Sequence, residues 1–325
     1  MRRRATFPHC RVTALVGLLV AGATGAAPLA YVPNQASGTV SVIDTASDRV
    51  VRTLDAHGSL GKRLQAIDID AHGMLYLVDA ANESLLVLDP VHDAVVRRLA
   101  IGKGAEGVRL APDGRSVAVC AEAQHQVLLA DTATLALRAR IPVRGRNPEH
   151  CEFSPDGQWL LTSNEGSDNL DVIDVAHARS VATIATSGHP RGAAFVPHTE
   201  HVFVAQESAN AVDVVDLAAR AKIASIPTAE RAAGVTASAD GRRVYVANGS
   251  GSVSVIDVAK SAVVATIPVG KRPWNMALTP DGRKLYVANG RSGSVSVVDT
   301  ATLKVIAEIP VGELPWGVAI AGAGE

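Results

Sequence analysis

The sequence has almost no net charge: 31 Lys and Arg stand against 32 Asp and Glu over 325 residues. A surface so balanced does not advertise nucleic acid or an acidic membrane as partner. Metal-binding spacings are missing too, since none of the ten His forms His-x-His or His-Glu-x-x-His. There is no Gly-x-Ser-x-Gly elbow, and nothing resembles a phosphate loop or a nucleic-acid module. Motif-borne metal chemistry and nucleophilic catalysis are therefore unsupported. Of the three Cys, Cys10 falls near the N-terminus, which leaves only Cys120 and Cys151. Long apolar runs are absent after the first two dozen residues, so no later segment is suited to crossing a membrane.

The one early run has its own logic. Arg2, Arg3, Arg4 and Arg11 precede an apolar stretch from Val12 to Ala23, and small residues follow from Thr24 to Ala27. That pattern predicts a secretory signal peptide over residues 1–27, cleaved near Ala26 or Ala27. The paired Arg also admit twin-arginine export. The run is short for a membrane anchor, and no Cys follows it as in a lipoprotein. The expected location is periplasmic or secreted. In such a compartment Cys120 and Cys151 could form a disulfide. Because they sit on different strand types, two separately buried thiols are the expectation.

What the chain has in quantity is repetition. An apolar strand ending in Asp recurs at Asp44, Asp89, Asp131, Asp174, Asp216, Asp257 and Asp299, with gaps of 45, 42, 43, 42, 41 and 42 residues. Seven copies of this length with strand-like content predict an all-β, seven-bladed β-propeller with one four-stranded antiparallel blade per repeat. The repeats fill residues 28–325 as a single domain. Within a repeat, Pro-Asp-Gly at 112–114, 155–157 and 280–282 marks a tight turn after the first strand. Asn289-Gly290 is a hairpin signal after the second strand. The fourth strand, as in residues 304–311, alternates polar and apolar positions, as an edge with one wet side does. Pro197-His198-Thr199 loses the turn Gly, which predicts a looser turn in blade five. The seven Asp, one per blade, are expected to bond turn backbone N–H groups and to carry no chemistry. Two Asn-x-Ser matches, at Asn82 and Asn248, are of a kind common by chance.

The ends complete one another. Ala30-Tyr31-Val32 matches a second strand with no first strand before it, and Trp316 to Ile320 matches a first strand with nothing after it. The C-terminal strand should complete blade one and latch the ring, leaving no open edge.

Tyr31-Val32-Pro33-Asn34, Tyr245-Val246-Ala247-Asn248 and Tyr286-Val287-Ala288-Asn289, with Ser41-Val42-Ile43-Asp44-Thr45 and the Ile-Pro-Val-Gly runs at 267–270 and 309–312, resemble the signature of the YVTN family of β-propeller repeat proteins. The resemblance covers all of residues 28–325 and is specific for the repeat, not for a function. The C-terminal stretch, with Arg272-Pro273-Trp274 and Pro315-Trp316-Gly317, is similar to periplasmic propellers associated with pyrroloquinoline-quinone-dependent alcohol catabolism. That resemblance implies an accessory role beside a dehydrogenase. Haem-d1-type propellers are more distant relatives by repeat type.

Aligning the repeats on the turn separates scaffold from variation. Six residues before the turn Pro stand Gln65, Glu106, Glu149, Arg191, Ala233, Trp274 and Trp316; eight before stand Arg63, Gly104, Asn147, His189, Arg231, Arg272 and Leu314. These layers should meet at one mouth of the channel. Arg forks read carboxylate or phosphate, and Trp offers a stacking face. The expected ligand site is Arg63, Glu106, Glu149, His150, His189, Arg191, Arg231, Arg272, Trp274 and Trp316, for a small anionic or planar ligand. The competing reading is a merely solvated face, with both Trp capping blade packing. Glu149, His150 and His189 could form a three-ligand cluster, but isolated His are the default, so neither metal nor cofactor is expected. The function read from this is a monomeric, non-catalytic binding or accessory propeller with a small-molecule or periplasmic protein partner. The alternatives are a lactonase- or quinoprotein-type enzyme, or a haem- or metal-handling propeller.

Overall fold

The computed structural model describes residues 27–321. The segment read as a signal peptide, apart from its last residue, lies outside them. The described chain forms seven four-stranded antiparallel sheets in a closed ring, as the repeat predicts. In blade seven the strands run Pro273–Leu278, Lys284–Asn289, Ser294–Asp299 and Lys304–Pro310, from the channel outward.

Burial explains the composition of each strand. Second and third strands are enclosed on both faces by neighbouring blades and read as near-continuous Val, Leu, Ile and Ala. Fourth strands lie along the outer rim and are largely exposed: Ala262–Pro268 alternates exposed and more buried positions, whereas in Lys304–Pro310 only Ile309 is buried. The Asn that ends the second strand is wholly buried and ties into the third strand. Asn34 donates to Ser41 at 3.0 Å and Asn289 to Ser296 at 2.8 Å. That bond accounts for both the Asn and the alternating Ser of the repeat.

The repeated Asp do what their spacing implies. In every blade the carboxylate accepts a turn N–H two or three residues on, from Ala46, Val91, Thr134, His177, Ala219, Lys260 and Thr302. Blade five departs from expectation. Its turn is not open: Thr199 N–H donates to the Val196 carbonyl at 3.2 Å and Val196 N–H to the His201 carbonyl at 3.0 Å. The left-handed residue has moved one place earlier, to His198 (φ 63°), so the missing Gly is bypassed.

Blade one closes as the ends imply. Ala319–Ile320 pairs with Leu29–Asn34, and Pro315 bridges to Asn34. Trp316 N–H donates to the Pro33 carbonyl at 3.0 Å and Ala321 N–H to the Leu29 carbonyl at 3.1 Å. Lys284 of blade seven reaches Asp48 of blade one at 2.7 Å across the same seam. Cys120 and Cys151 are both free and buried, in one apolar cluster shared by blades three and four.

Candidate functional site

Each first strand enters from one mouth of the channel, and two backbone features aim its side chains. The position eight before the turn Pro is left-handed in all seven blades: Arg63 (φ 93°), Gly104 (66°), Asn147 (55°), His189 (55°), Arg231 (64°), Arg272 (52°) and Leu314 (53°). Six of these are not simply set by glycine freedom; L residues there carry a conformational cost. Two residues later, the pairing with the second strand slips in blades two to seven, for example between Pro148 and His150 in Pro148–Phe153. The bulge frees that residue from the ladder and turns it toward the mouth.

These devices bring Arg191 to the centre of a carboxyl cluster. Its Nη2 stands 2.7 Å from Glu149 Oε1, and its Nη1 stands 2.5 Å from Glu165 Oε1 and 3.6 Å from Glu207 Oε2. His189 Nε2 lies 2.6 Å from Glu165 Oε1 and 3.8 Å from Glu207 Oε2. Arg231 and Arg272 both reach Glu207 Oε1 at 2.9 Å. Glu106 adjoins Glu149 from blade three. Eight of the ten expected residues thus take part in the mouth or its floor. Arg63 joins none of these pairs, and Trp274 lies to one side. The Trp274 ring rests on Gly290, where an added Cβ would come within 2.6 Å of it.

Trp316 has a role that its register did not reveal. It is 6 % exposed and crosses the channel from blade one to meet His150 of blade four, ring centroids 5.8 Å apart. Most other blades place Ala or Gly at the position of His150: Ala66, Gly107, Gly192, Gly234 and Gly317. The Trp316–His150 contact therefore floors the mouth. Above it lies a cavity of about 710 Å³, lined by Arg191, Arg231 and Arg272 and by Glu165, Glu207 and Glu230. Below it a separate cavity of about 440 Å³ is lined partly by Arg109, which pairs with Glu152 and Asp68.

Glu165 and Glu207 were missed in the sequence, yet a signal existed. The residue following the second strand is Gln35, Ala80, Glu122, Glu165, Glu207, Gly249 and Gly290 around the ring. Three consecutive Glu and then two Gly make one half of the mouth acidic and the other open. A Cβ on Gly249 would come too close to Arg272 Nη1, so a side chain there would displace that guanidinium.

The carboxyls are not equivalent. Burial, then repulsion from Glu149, pushes Glu106 up to about 8. Glu149 is 1 % exposed, and neither of its oxygens has a hydrogen-bond donor among the described residues. Burial holds its pKa well above the usual carboxylate range despite Arg191. Burial also acts on Glu165, but the hydrogen bond with Glu149 and the charge of Arg191 outweigh it and keep Glu165 low. Glu207 is lowered against its own burial by Arg191 and Arg272. Burial and Arg191 depress His150 to about 4, so its imidazole is neutral. Burial thus favours the neutral forms of Glu106 and Glu149, while Glu165 and Glu207, which face the guanidiniums, are held toward their charged forms. Glu165, Glu207 and Glu230 line the cavity with Arg191, Arg231 and Arg272, three carboxyl groups against three guanidiniums. Glu165, His189 and Glu207 could each offer an atom to one metal ion, but both carboxylates are already engaged by Arg.

Comparison with known proteins agrees with the fold. The family model described as lactonase, 7-bladed beta-propeller matches residues 26–183, and the cytochrome D1 heme domain model matches residues 198–317. Each match spans less than half of the chain, and together they bear out a seven-bladed propeller. Among solved structures, it is similar to the hydrazine synthase of Kuenenia stuttgartiensis (21 % identity, TM-score 0.76, covering 89 % of this chain and 99 % of that one). It is also similar to a functionally unknown protein from Desulfotomaculum acetoxidans DSM 771 (16 %, 0.80, 90 % and 99 %). A third likeness is to the dihydro-heme d1 dehydrogenase NirN in complex with DHE (18 %, 0.67, 91 % and 75 %). At these identities the likeness is one of fold. No curated protein matches the chain.

Proposed function

We propose that this chain is an exported YVTN-type propeller, periplasmic or secreted, that binds a small carboxylate- or phosphate-bearing ligand at one mouth and acts as a binding or accessory protein without chemistry of its own. The observation that carries this is the charge balance around Arg191. Three guanidiniums, of Arg191, Arg231 and Arg272, line one cavity, and burial pushes two carboxyls behind them, Glu106 and Glu149, toward their neutral forms. Arg231 is half-exposed, with 51 % of its side chain accessible, and can turn to a ligand without leaving a buried charge behind. The pyrroloquinoline-quinone-associated subgroup supplies a setting for such a protein, through the resemblance of its C-terminal motifs.

The test is calorimetric titration of the protein with inorganic phosphate and with small mono- and dicarboxylates. Binding that Arg231→Ala with Arg272→Ala weakens at least tenfold supports the reading. Equal affinity in the double variant removes it.

A haem-handling reading has one specific support: the cytochrome D1 heme match spans the blades that supply Glu207, Arg231 and Arg272. The residues fit only part of such a group. Arg231 and Arg272 suit its carboxylates, but the cavity lining is almost wholly polar and charged and offers no broad apolar face for a macrocycle. An enzyme reading draws on the lactonase match over the blades that carry Glu106, Glu149, His150 and Glu165. A Soret band in protein purified from its native compartment would favour the first of these, and lactone turnover the second.

A further inference from the structure

We propose that seating an anion on the mouth arginines draws one proton from water onto the Glu106–Glu149–Glu165 carboxyl chain, so that ligand binding and proton uptake are one event. The inference rests on the anion-binding reading above and concerns the same site.

The geometry supplies the coupling. Among the described residues, Arg191 is the only guanidinium that touches both Glu149 and Glu165, through different nitrogens. It cannot swing away, since its side chain is only 14 % exposed. An anion arriving beside Arg191 therefore competes for the charge that now compensates Glu165. Glu149 cannot relieve the competition: it is buried, neither of its oxygens has a hydrogen-bond partner among the described residues, and burial already disfavours its charged form. A carboxylate that loses its counter-charge in a partly buried place takes up a proton in preference to remaining ionised. Glu165 is the group so placed.

Other ionisable groups face the chain, among them Glu230, which adds a carboxyl to the lining of the same cavity. His150, beside Glu149 at 3.3 Å, is neutral and desolvated and will not charge near neutral pH. Glu122 lies near Glu106 and Glu165 and adds negative charge on the same side, which favours uptake. Glu207 keeps the buried Arg272 as a partner when Arg231 turns to the anion. His189, in contact with Glu165 and Glu207, is the rival proton acceptor.

Sulfate is the probe, because its own charge is constant from about pH 6 to pH 8.5 and only the protein titrates. Uptake of one proton per anion requires affinity to weaken about tenfold per pH unit as pH rises. Calorimetry in two buffers of different ionisation heat should return close to one proton absorbed. Glu165→Gln should flatten the pH dependence, and His189→Asn, which tolerates the left-handed backbone, should keep it. Binding with pH-independent affinity and buffer-independent heat overturns the coupling but leaves the anion site standing. A slope lost in His189→Asn and kept in Glu165→Gln assigns the proton to His189 and overturns the carboxyl chain. Absence of sulfate binding to the wild-type protein at any of these pH values overturns the anion site itself, and the coupling with it.

Discussion

Arg191 and the carboxyls around it show how a single residue can be both scaffold and site. Removing Arg191 strips Glu149, Glu165 and Glu207 of a shared counter-charge in a place with little water. Arg191→Ala should cost about 3 kcal/mol or more in urea unfolding, in the range of a broken buried ion pair. Glu149→Gln, which replaces an acid with a neutral isostere, should change stability by less than about 1 kcal/mol. Equal losses in the two variants would mean that Glu149 is ionised in the folded protein. Glu106 makes a sharper test. Its folded pKa of about 8 lies above its ordinary value of 4.5, so between those limits the folded state holds a proton that the unfolded state has released. Its contribution is fully present below pH 4.5 and is lost as pH rises to about 8. His150 acts oppositely: depressed to about 4, it costs stability as pH falls below 6.5. The Glu106→Gln variant should therefore gain on the wild type steadily as pH is raised from about 4.5 to 8, in paired denaturation curves, and then run parallel to it. A constant difference across that range would show that Glu106 is not buried as an acid. None of this was legible from residue type. The alignment placed Glu106, Glu149 and Arg191 in one layer, but which carboxyl keeps its proton depends on Glu165 and Glu207, which arrive from a different loop.

At the scale of the element, strand order and turns were readable because the repeat states them seven times. The Asp of the third strand, the Asn of the second and the Pro-Asp-Gly turn each have one local bonding task, and local tasks survive in sequence. The blade-five turn shows where that reading fails. His198 takes up the left-handed conformation that Gly holds elsewhere, a substitution of backbone state that composition alone does not register. The channel floor was equally hidden. Trp316 looked like one more layer residue, whereas its ring meets His150 from the opposite side of the ring of blades. The closing segment thus has two jobs: it supplies the inner strand of blade one and it floors the mouth. Trp316→Ala should cost about 3–5 kcal/mol, as large aromatic truncations in cores do, and lower the melting temperature by roughly 5–8 °C in a chain of this size. Deleting residues 314–325 should go further and remove most soluble protein, because blade one would then expose an unpaired edge beside a broken core. A soluble truncate with an unchanged melting temperature would show that blade one stands without its inner strand.

At the scale of the whole molecule, the seam in blade one is one of seven equivalent places where the ring could open. The first-strand turn of every blade separates an inner strand from three outer ones, and the native seam has the same three-plus-one division. The ends at that seam are adjacent, with Ala321 N–H bonded to the Leu29 carbonyl at 3.1 Å, so a short linker can join them without strain. New ends placed in the exposed turn at residues 197–200 would leave Pro190–Phe195 as the last inner strand, pairing with His201–Gln206 as Ala319–Ile320 pairs with Leu29–Asn34. If ring closure as such confers the stability, this permutant should fold with one cooperative transition and a melting temperature within a few degrees of the native chain. It should also bind anions unchanged, because Glu165, Arg191, Glu207, Arg231 and Arg272 all stay in their blades. The rival account is that the native seam is special, through Lys284 and Tyr286 on Asp48 and through Trp316 on its floor. The permutant keeps all of those contacts but makes them internal to the chain, and it transfers the burden of closure to a seam that lacks them. A permutant that unfolds in two steps, or many degrees below the native chain, would assign the stability to that one seam and not to the ring.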